Sequence, residues 1–265
     1  MSGPQPQSQP FAELGSSRAG VQHSRSVVGT ARSSMSTDST GALVVTFSSE
    51  VPLDVQRFIR ILLSHDDQAA HVFAAELIER GVTTERLYEG LFAEAARTLG
   101  EMWEADDCTF YDVTLGTGRI QRLIREFSHQ FLADYLYPGS TGRLLLCSAS
   151  DEQHSLGIAV LAEFFVRDGW DVHVGPGLGS DALLDKVRES DYNLLGFSVA
   201  CTSRISKLQQ DIRRARQVSR NRGVKIIVGG ALITADPSLA ERIGADGYAT
   251  DASTAVAAAR RIISA

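Results

Sequence analysis

Residues 143–175 read "RLLLCSASDEQHSLGIAVLAEFFVRDGWDVHVG", and the fold turns on how this stretch is divided. "RLLLCSAS" is a short apolar run of strand length. "LGIAVLAEFFVRDG" carries apolar residues at helical spacing and stops at a glycine, and "WDVHVG" is a second short β-rich run. Strand, helix and strand at this spacing make a parallel βαβ unit. Between the first strand and the helix lies "DEQHSLG" (151–157), with His154 behind two carboxylates and Gly157 one turn later. A turn needs polar residues there, but it does not need an imidazole.

The pattern repeats toward the C-terminus. "SDALLDKVRES" reads as a helix and "YNLLGFSVA" as a third strand. "SRISKLQQDIRRARQVSRNRG" is a long helix, "VKIIVGGA" a fourth strand and "DPSLAERIG" a short helix. "ADGYATD" holds a short fifth strand and "ASTAVAAARRIISA" the last helix. Five strands alternating with helices predict an α/β fold, a flavodoxin-like doubly wound five-stranded parallel sheet covered on both faces, over 143–265.

Toward the N-terminus the spacing turns helical. "VPLDVQRFIRILLSHD" places Val51, Val55, Phe58, Ile59 and Leu62 on one face. Asp66 and Asp67 can cap the next segment, which stops at Gly81, and Thr83 or Thr84 can cap the one after. With "TFYDVTLGTGRIQRLIREFSHQFLADYL" these predict an all-α four-helix bundle over 51–137. "YPGSTG" marks a linker at 138–142. Residues 1–50, rich in Ser, Gln, Gly and Pro, are expected to form a disordered tail in which only "GALVVTF" (41–47) can pair as a strand. Met35 lies inside that tail as a potential second start.

Composition narrows the function. Of 265 residues 43% are hydrophobic and 22% charged, and the net charge is −6, so no global attraction draws the chain to phosphate backbones or anionic lipid. No apolar run approaches the ~20 residues of a membrane span. The first residues lack a basic and an apolar region, so a cytoplasmic location is expected. Cys108, Cys147 and Cys201 fit no CxxC pattern and read as reduced, buried thiols. Neither a nucleophile with a base nor a pair of carboxylates in a plausible cleft stands out, and the expectation is not an enzyme.

In a doubly wound sheet the ligand crevice lies beyond the carboxyl ends of the strands. Three features fall there: His154 after the first strand, Ser198 at the end of the third, and Gly229-Gly230 after the fourth. Singly, each has a structural reading: a solvent-facing helix start, a strand end, a tight turn. Together, two surfaces cleared of side chains beside one imidazole point to a bulky ligand with a metal. The other ligands of such sheets fit poorly. A phosphate-accepting receiver needs an Asp and a Lys that the third and fifth strands lack, and "GPGLGSD" (175–181) holds its glycines after the wrong strand for a dinucleotide.

"ExHxxG" at 152–157, Ser198 in "FSVACT" and Gly229-Gly230 in "IIVGGA" together resemble the cobalamin-binding domain, over 143–265. The resemblance implies that His154 is the lower ligand of cobalt and that Ser198 meets the displaced base of the cofactor. Gly157, Gly229 and Gly230 leave room for its nucleotide tail. Glu152 stands where the family has Asp, one methylene longer, as partner of the second imidazole nitrogen; Asp151 is its alternative. The segment "LGEMWEADDCTFYDVTLGTGRIQRLI" is similar to the cobalamin-capping bundle of light sensors, with Trp103 over the upper face. Val113-Thr114 stand where the adenosylcobalamin sensors place Glu-His, and Glu104 where they often have His. These departures favour a hydroxo- or aquo-cobalamin, with an adenosyl or methyl form still open.

The whole arrangement resembles the PpaA/AerR antirepressors of purple photosynthetic bacteria. The resemblance implies a light- or redox-responsive cobalamin regulator acting on a PpsR/CrtJ-type repressor, with DNA met only through the partner complex and no membrane partner. The basic run "RRARQVSRNRGVK" (213–225) reads first as a solvated helix face, with phosphate contact as its second reading. The alternative function is a corrinoid methyl carrier of a methyltransferase system, which joins a small helical bundle to the same domain.

Overall fold

Amphipathic helices cannot hide their apolar stripes alone, and the first half of the chain solves this by packing four of them around phenylalanines. The computed structural model describes residues 34–37, 43–46, 51–64, 66, 68–133, 141–149, 156–175 and 177–264. Helix α1 (Leu53–Leu62) buries Val55, Phe58, Ile59 and Leu62, the face expected from spacing. Asp66 caps α2 (Ala69–Glu79): its Oδ1 accepts from the backbone of Gln68 at 2.9 Å and Ala69 at 3.2 Å. Asp67 lies outside the described residues. Gly81 ends the segment at φ +92°. Thr83, and not the buried Thr84, caps the third helix, accepting from Arg86 N at 3.3 Å.

That third helix is not uniform. It begins as α3 (Thr84–Arg86), widens to a π-helix over Leu87–Phe92 and continues as α4 (Ala93–Glu104). No local sequence signal distinguishes such a widening, because it is set by what the turn packs against. Here Leu87, Tyr88, Leu91 and Phe92 are all buried. Tyr88 donates to the carbonyl of Ile124 at 2.8 Å, and its burial pushes the phenol far above the ordinary tyrosine value. Helix α5 (Phe110–Ala133) starts with a reciprocal cap: Asp112 accepts from Thr109 N at 2.9 Å, and Thr109 Oγ1 from Asp112 N at 3.2 Å. Phe58 stacks between Phe73 and Phe92, with ring centroids 5.9 and 5.5 Å away.

Two short strands, β1 (Ser34–Thr37) and β2 (Leu43–Thr46), pair antiparallel inside the stretch expected to be a tail. Met35 N donates to Asp107 O at 2.9 Å and its side chain packs on the bundle core, while Val45 opposite it is buried. The expectation of disorder therefore fails for Ser34–Thr37, while Leu43–Thr46 falls in the stretch expected to pair as a strand. The rest of the expected tail and residues 138–140 of the expected linker lie outside the described residues.

The second half is the doubly wound sheet. Strands β3 (Gly142–Ser148), β4 (Trp170–Gly175), β5 (Leu194–Ser198), β6 (Lys225–Gly229) and β7 (Gly247–Tyr248) lie parallel in the order β4-β3-β5-β6-β7. Helices α6 (Leu156–Arg167) and α11 (Ala252–Ile263) cover one face; α7 (Ser180–Glu189) and α8 (Ile205–Val218) cover the other. The short helix expected in "DPSLAERIG" is α10 (Leu239–Ile243), and one more, α9 (Ala231–Ala235), lies between it and the fourth strand, where no helix was expected. Alternation sends Leu144, Leu146, Leu194 and Ile227 to the α6/α11 face and Leu145, Cys147, Phe197 and Val228 to the other.

One apolar cluster joins the bundle to the α6/α11 layer of the sheet half. Phe131 of α5 lies 4.9 Å from Tyr88 and 4.9 Å from Phe164 of α6, and the Arg167 guanidinium sits 4.2 Å above its ring. Arg167 also pairs with Glu85. Ser128 donates to Glu163 at 2.6 Å, and Glu89, in the π-helical turn, accepts from Ser253 N at 2.8 Å and Oγ at 2.7 Å. Val160, Phe164 and Ala252 belong to the same apolar cluster as Phe58 and Phe92. The α6/α11 layer thus packs on the sheet by one side and on the bundle by the other.

Candidate functional site

The register of the sheet brings two of the expected residues, Ser198 and Gly229, to one rim beside Ser148. Ser148 pairs with Ser198, and Ser198 with Gly229, at the carboxyl ends of β3, β5 and β6. Counting by twos from Leu146, Leu194 and Ile227 puts all three on the α6/α11 face. Gly157 opens the first turn of α6 on that face, and a Cβ there would meet nothing within 4 Å. At Gly229 a Cβ would meet only the carbonyl of Ala249, at 3.1 Å. Gly157 presents bare backbone to open space, which is what a large ligand against the rim requires, while a side chain at Gly229 would crowd the Ala249 carbonyl.

Gly230 is a glycine for a different reason. Its backbone stands at φ +98°, ψ 176°, a region essentially reserved for glycine. A Cβ would lie 2.6 Å from Val199 O and 2.8 Å from Val199 N, and 3.0 Å from Ser198 Oγ. The fold itself demands this glycine, whatever binds beside it. Gly230→Ala should therefore destabilise the ligand-free protein by about 3 kcal/mol, from backbone strain of that order and a backbone clash. Urea unfolding without ligand checks this; an unchanged midpoint would show that the turn relaxes freely.

His154 and Glu152, with Asp151, lie outside the described residues. The elements on either side, β3 ending at Ser148 and α6 beginning at Leu156, meet at this same rim. Ser148 was not singled out in the sequence: its buried Oγ accepts from Gly177 N at 2.8 Å, tying the loop after β4 to the end of β3. An inward serine at a strand end is the only signal that could have pointed to it.

Trp103 is not a core residue of the bundle; 48% of it is exposed, and its ring lies 6.3 Å edge-on from Phe110. Its place follows from the anchors below it. Glu85 meets Arg167 at the end of α6, on the amino side of the sheet, and Glu89 meets Ser253 at the start of α11, on the carboxyl side. Trp103 lies fourteen residues beyond Glu89, about 20 Å of helix. The α4–α5 corner therefore projects past the strand ends. On α5, Gln121, Thr117 and Phe110 share the side of Ser128, the residue that meets α6. Thr114 and Thr117 donate their hydroxyls back to the carbonyls of Phe110, at 2.8 Å, and Val113, at 2.7 Å. Val113-Thr114 consequently offer neither an imidazole nor a carboxylate there.

The remaining groups do other work. Burial pushes the Cys147 thiol up to about 12; burial with Asp112 and Asp107 pushes Cys108 up to about 11. Both stay protonated at neutral pH and are poor metal ligands. Cys201, expected to be buried, is exposed in the loop just past β5. In the basic run, Arg216 holds Val224 O, Gly244 O and Asp246, Arg220 holds Glu189 O and Arg222 holds Gln217 O, so much of that charge fastens the α8 end of the domain. Among the described residues no cluster of His, Cys, Asp and Glu side chains is placed to hold a metal ion. None of the described helices is long and apolar enough to cross a membrane.

Comparison with known proteins agrees with this geometry. Residues 142–257, the sheet half, match the B12 binding domain family. An uncharacterized 20.5 kDa protein in the bchF-crtJ intergenic region of Rhodobacter capsulatus is 26% identical over 197 residues, 74% of this chain and 96% of that protein. That similarity is consistent with a protein of the PpaA/AerR type. Dimethylamine corrinoid protein 1 of Methanosarcina mazei is 30% identical over 111 residues, 42% of this chain and 50% of that protein, so the match spans about half of that relative. The solved Methanosarcina barkeri monomethylamine corrinoid protein shares the fold, with a TM-score of 0.67 at 15% identity, covering 78% of this chain and 96% of that one.

Proposed function

We propose that this chain, a PpaA/AerR-type protein with a B12 binding domain, is a cobalamin-responsive regulator that acts by binding a PpsR/CrtJ-type repressor of photosystem genes. The observation that carries the reading is the similarity to the bchF-crtJ intergenic protein, which runs through both halves of the chain. The bare backbone of Gly157, at the rim that holds Ser198 and Gly229, fits a large ligand there. In this reading His154 would hold cobalt, with Glu152 fixing its tautomer, and Trp103 with Phe110 would cover the cofactor. Bound cobalamin would supply a metal centre sensitive to light or redox state. The protein's part is to exclude solvent with the α4–α5 corner and to pass a change at Trp103 into the bundle. A ligand shifts such an equilibrium only by its differential affinity for the two arrangements.

Because Val113-Thr114 bring no second imidazole, hydroxocobalamin should bind at least as tightly as adenosylcobalamin. Titration in the dark with both forms, followed by absorption, tests this; a preference of tenfold or more for the adenosyl form would overturn it. Trp103→Ala should keep most of the binding but blunt the difference between dark and light in repressor binding.

The second reading is a corrinoid methyl carrier. The similarity to dimethylamine corrinoid protein 1 favours it. Methyl transfer to bound cobalamin by a partner methyltransferase, with no binding of repressor, would decide for it.

A further inference from the structure

Helix α5 has a third side that neither the core nor the sheet uses. Tyr111, Leu115, Gly118 and Arg122 follow one another at helical spacing. With Thr114 and Arg119 they line an open groove of about 380 Å³. This stripe lies about a third of a turn round from Ser128, so a cofactor held between the α4–α5 corner and the sheet would leave it uncovered. Tyr111 is 71% exposed. Gly118 sits inside a helix, where glycine is unfavourable, and a Cβ there would meet nothing within 4 Å, so no packing within the chain calls for it. Bare helix backbone between an exposed tyrosine and a leucine is a surface that admits another helix closely.

The charge along the stripe is positive in a chain of net charge −6. Arg119 and Arg122 line the groove, and the exposed Arg125 follows. Arg119 donates to Leu62 O and Ser64 O, each at 2.6 Å, and keeps its charge; Arg122 donates to Glu126 at 2.6 Å, a carboxylate that His71 also meets at 2.9 Å. We infer that the α5 groove is the docking surface for an acidic amphipathic helix of the partner protein, its apolar anchor seated over Gly118 between Tyr111 and Leu115 and its carboxylates on the arginines. A phosphate backbone would use the arginines but not the apolar floor. The inference rests on the regulatory reading, since it supplies the surface by which that reading works.

The test is a titration of hydroxocobalamin-loaded protein with purified PpsR/CrtJ-type repressor, for the wild type, Gly118→Trp, Gly118→Ala, Arg125→Glu and, as a control on the far face, Arg213→Glu. An unchanged cobalamin spectrum shows that each variant is folded. Gly118→Trp and Arg125→Glu should each weaken binding about tenfold or more, the scale of a hot-spot loss. Gly118→Ala should cost less, and Arg213→Glu should leave affinity unchanged. If the groove variants bind as tightly as the wild type, this surface is wrong while the regulatory reading stands. If they keep the repressor but lose promoter DNA, the occupant is nucleic acid and the inference fails. If the wild type itself does not bind the repressor, the regulatory reading falls and this surface with it.

Discussion

Replacing His154 with alanine should abolish tight binding of cobalamin, lowering affinity for hydroxocobalamin by at least roughly 100-fold, the upper range for lost support of a metal ligand. The expectation follows from chemistry at one position. Neutral imidazole suits cobalt, and carboxylates at 151 and 152 can hold its second nitrogen as an acceptor. The flanking elements β3 and α6 meet at the rim where Ser198 and Gly229 stand in register. Binding followed by absorption, with His154→Ala beside the wild type, separates the roles: loss of affinity or a changed cobalt spectrum supports ligation. Identical spectra and affinities would remove cobalt ligation by His154 from the account. Glu152→Gln should have a smaller effect, because it alters the partner of the ligand and not the ligand.

Phe131→Ala should cost about 3–5 kcal/mol, the usual loss for a fully buried phenylalanine. Phe131 touches Tyr88 in the bundle, Phe164 on the sheet side and the Arg167 guanidinium, so its removal opens a cavity at the joint of the two halves. Wild-type protein should unfold in one cooperative step, because the cluster that holds Phe58 and Phe92 also holds Val160, Phe164 and Ala252. The variant should show a lowered midpoint, with fluorescence and circular dichroism transitions drawing apart as the halves lose their coupling. Two separate transitions in the wild type would mean that the joint contributes little. The sequence places a linker at 138–142 between the halves, and its residues 138–140 lie outside the described residues. The joining cluster argues that a signal from the cofactor works within the α4–α5 corner, whose aromatic residues are exposed and not fastened to the sheet.

Residue order alone carried much of this. Five short apolar runs alternating with helical ones already imply a parallel sheet, because parallel strands need crossovers and both faces must be covered. WDVHVG was read as a strand and is β4 residue for residue. Local chemistry also placed the caps, since Asp66 and Thr83 act on backbone groups within three residues of themselves. The three rim motifs could be named before their register was known.

Tertiary structure decided what depends on neighbours far along the chain. Gly230 looked like a cleared surface, but the backbone of Val199, thirty-one residues earlier, is what forbids a side chain there. Trp103 could have been a core aromatic; only the anchoring of α3 and the π-helical turn at Arg167 and Ser253 carries it past the strand ends into the open. The hairpin at Ser34–Thr37 and Leu43–Thr46 has a weak strand signal and exists because Met35 and Val45 find an apolar surface. Short-range patterns choose helix or strand because hydrogen bonds and caps close within a few residues. Which face is covered, and which glycine is obligatory, depends on atoms the local sequence does not contain.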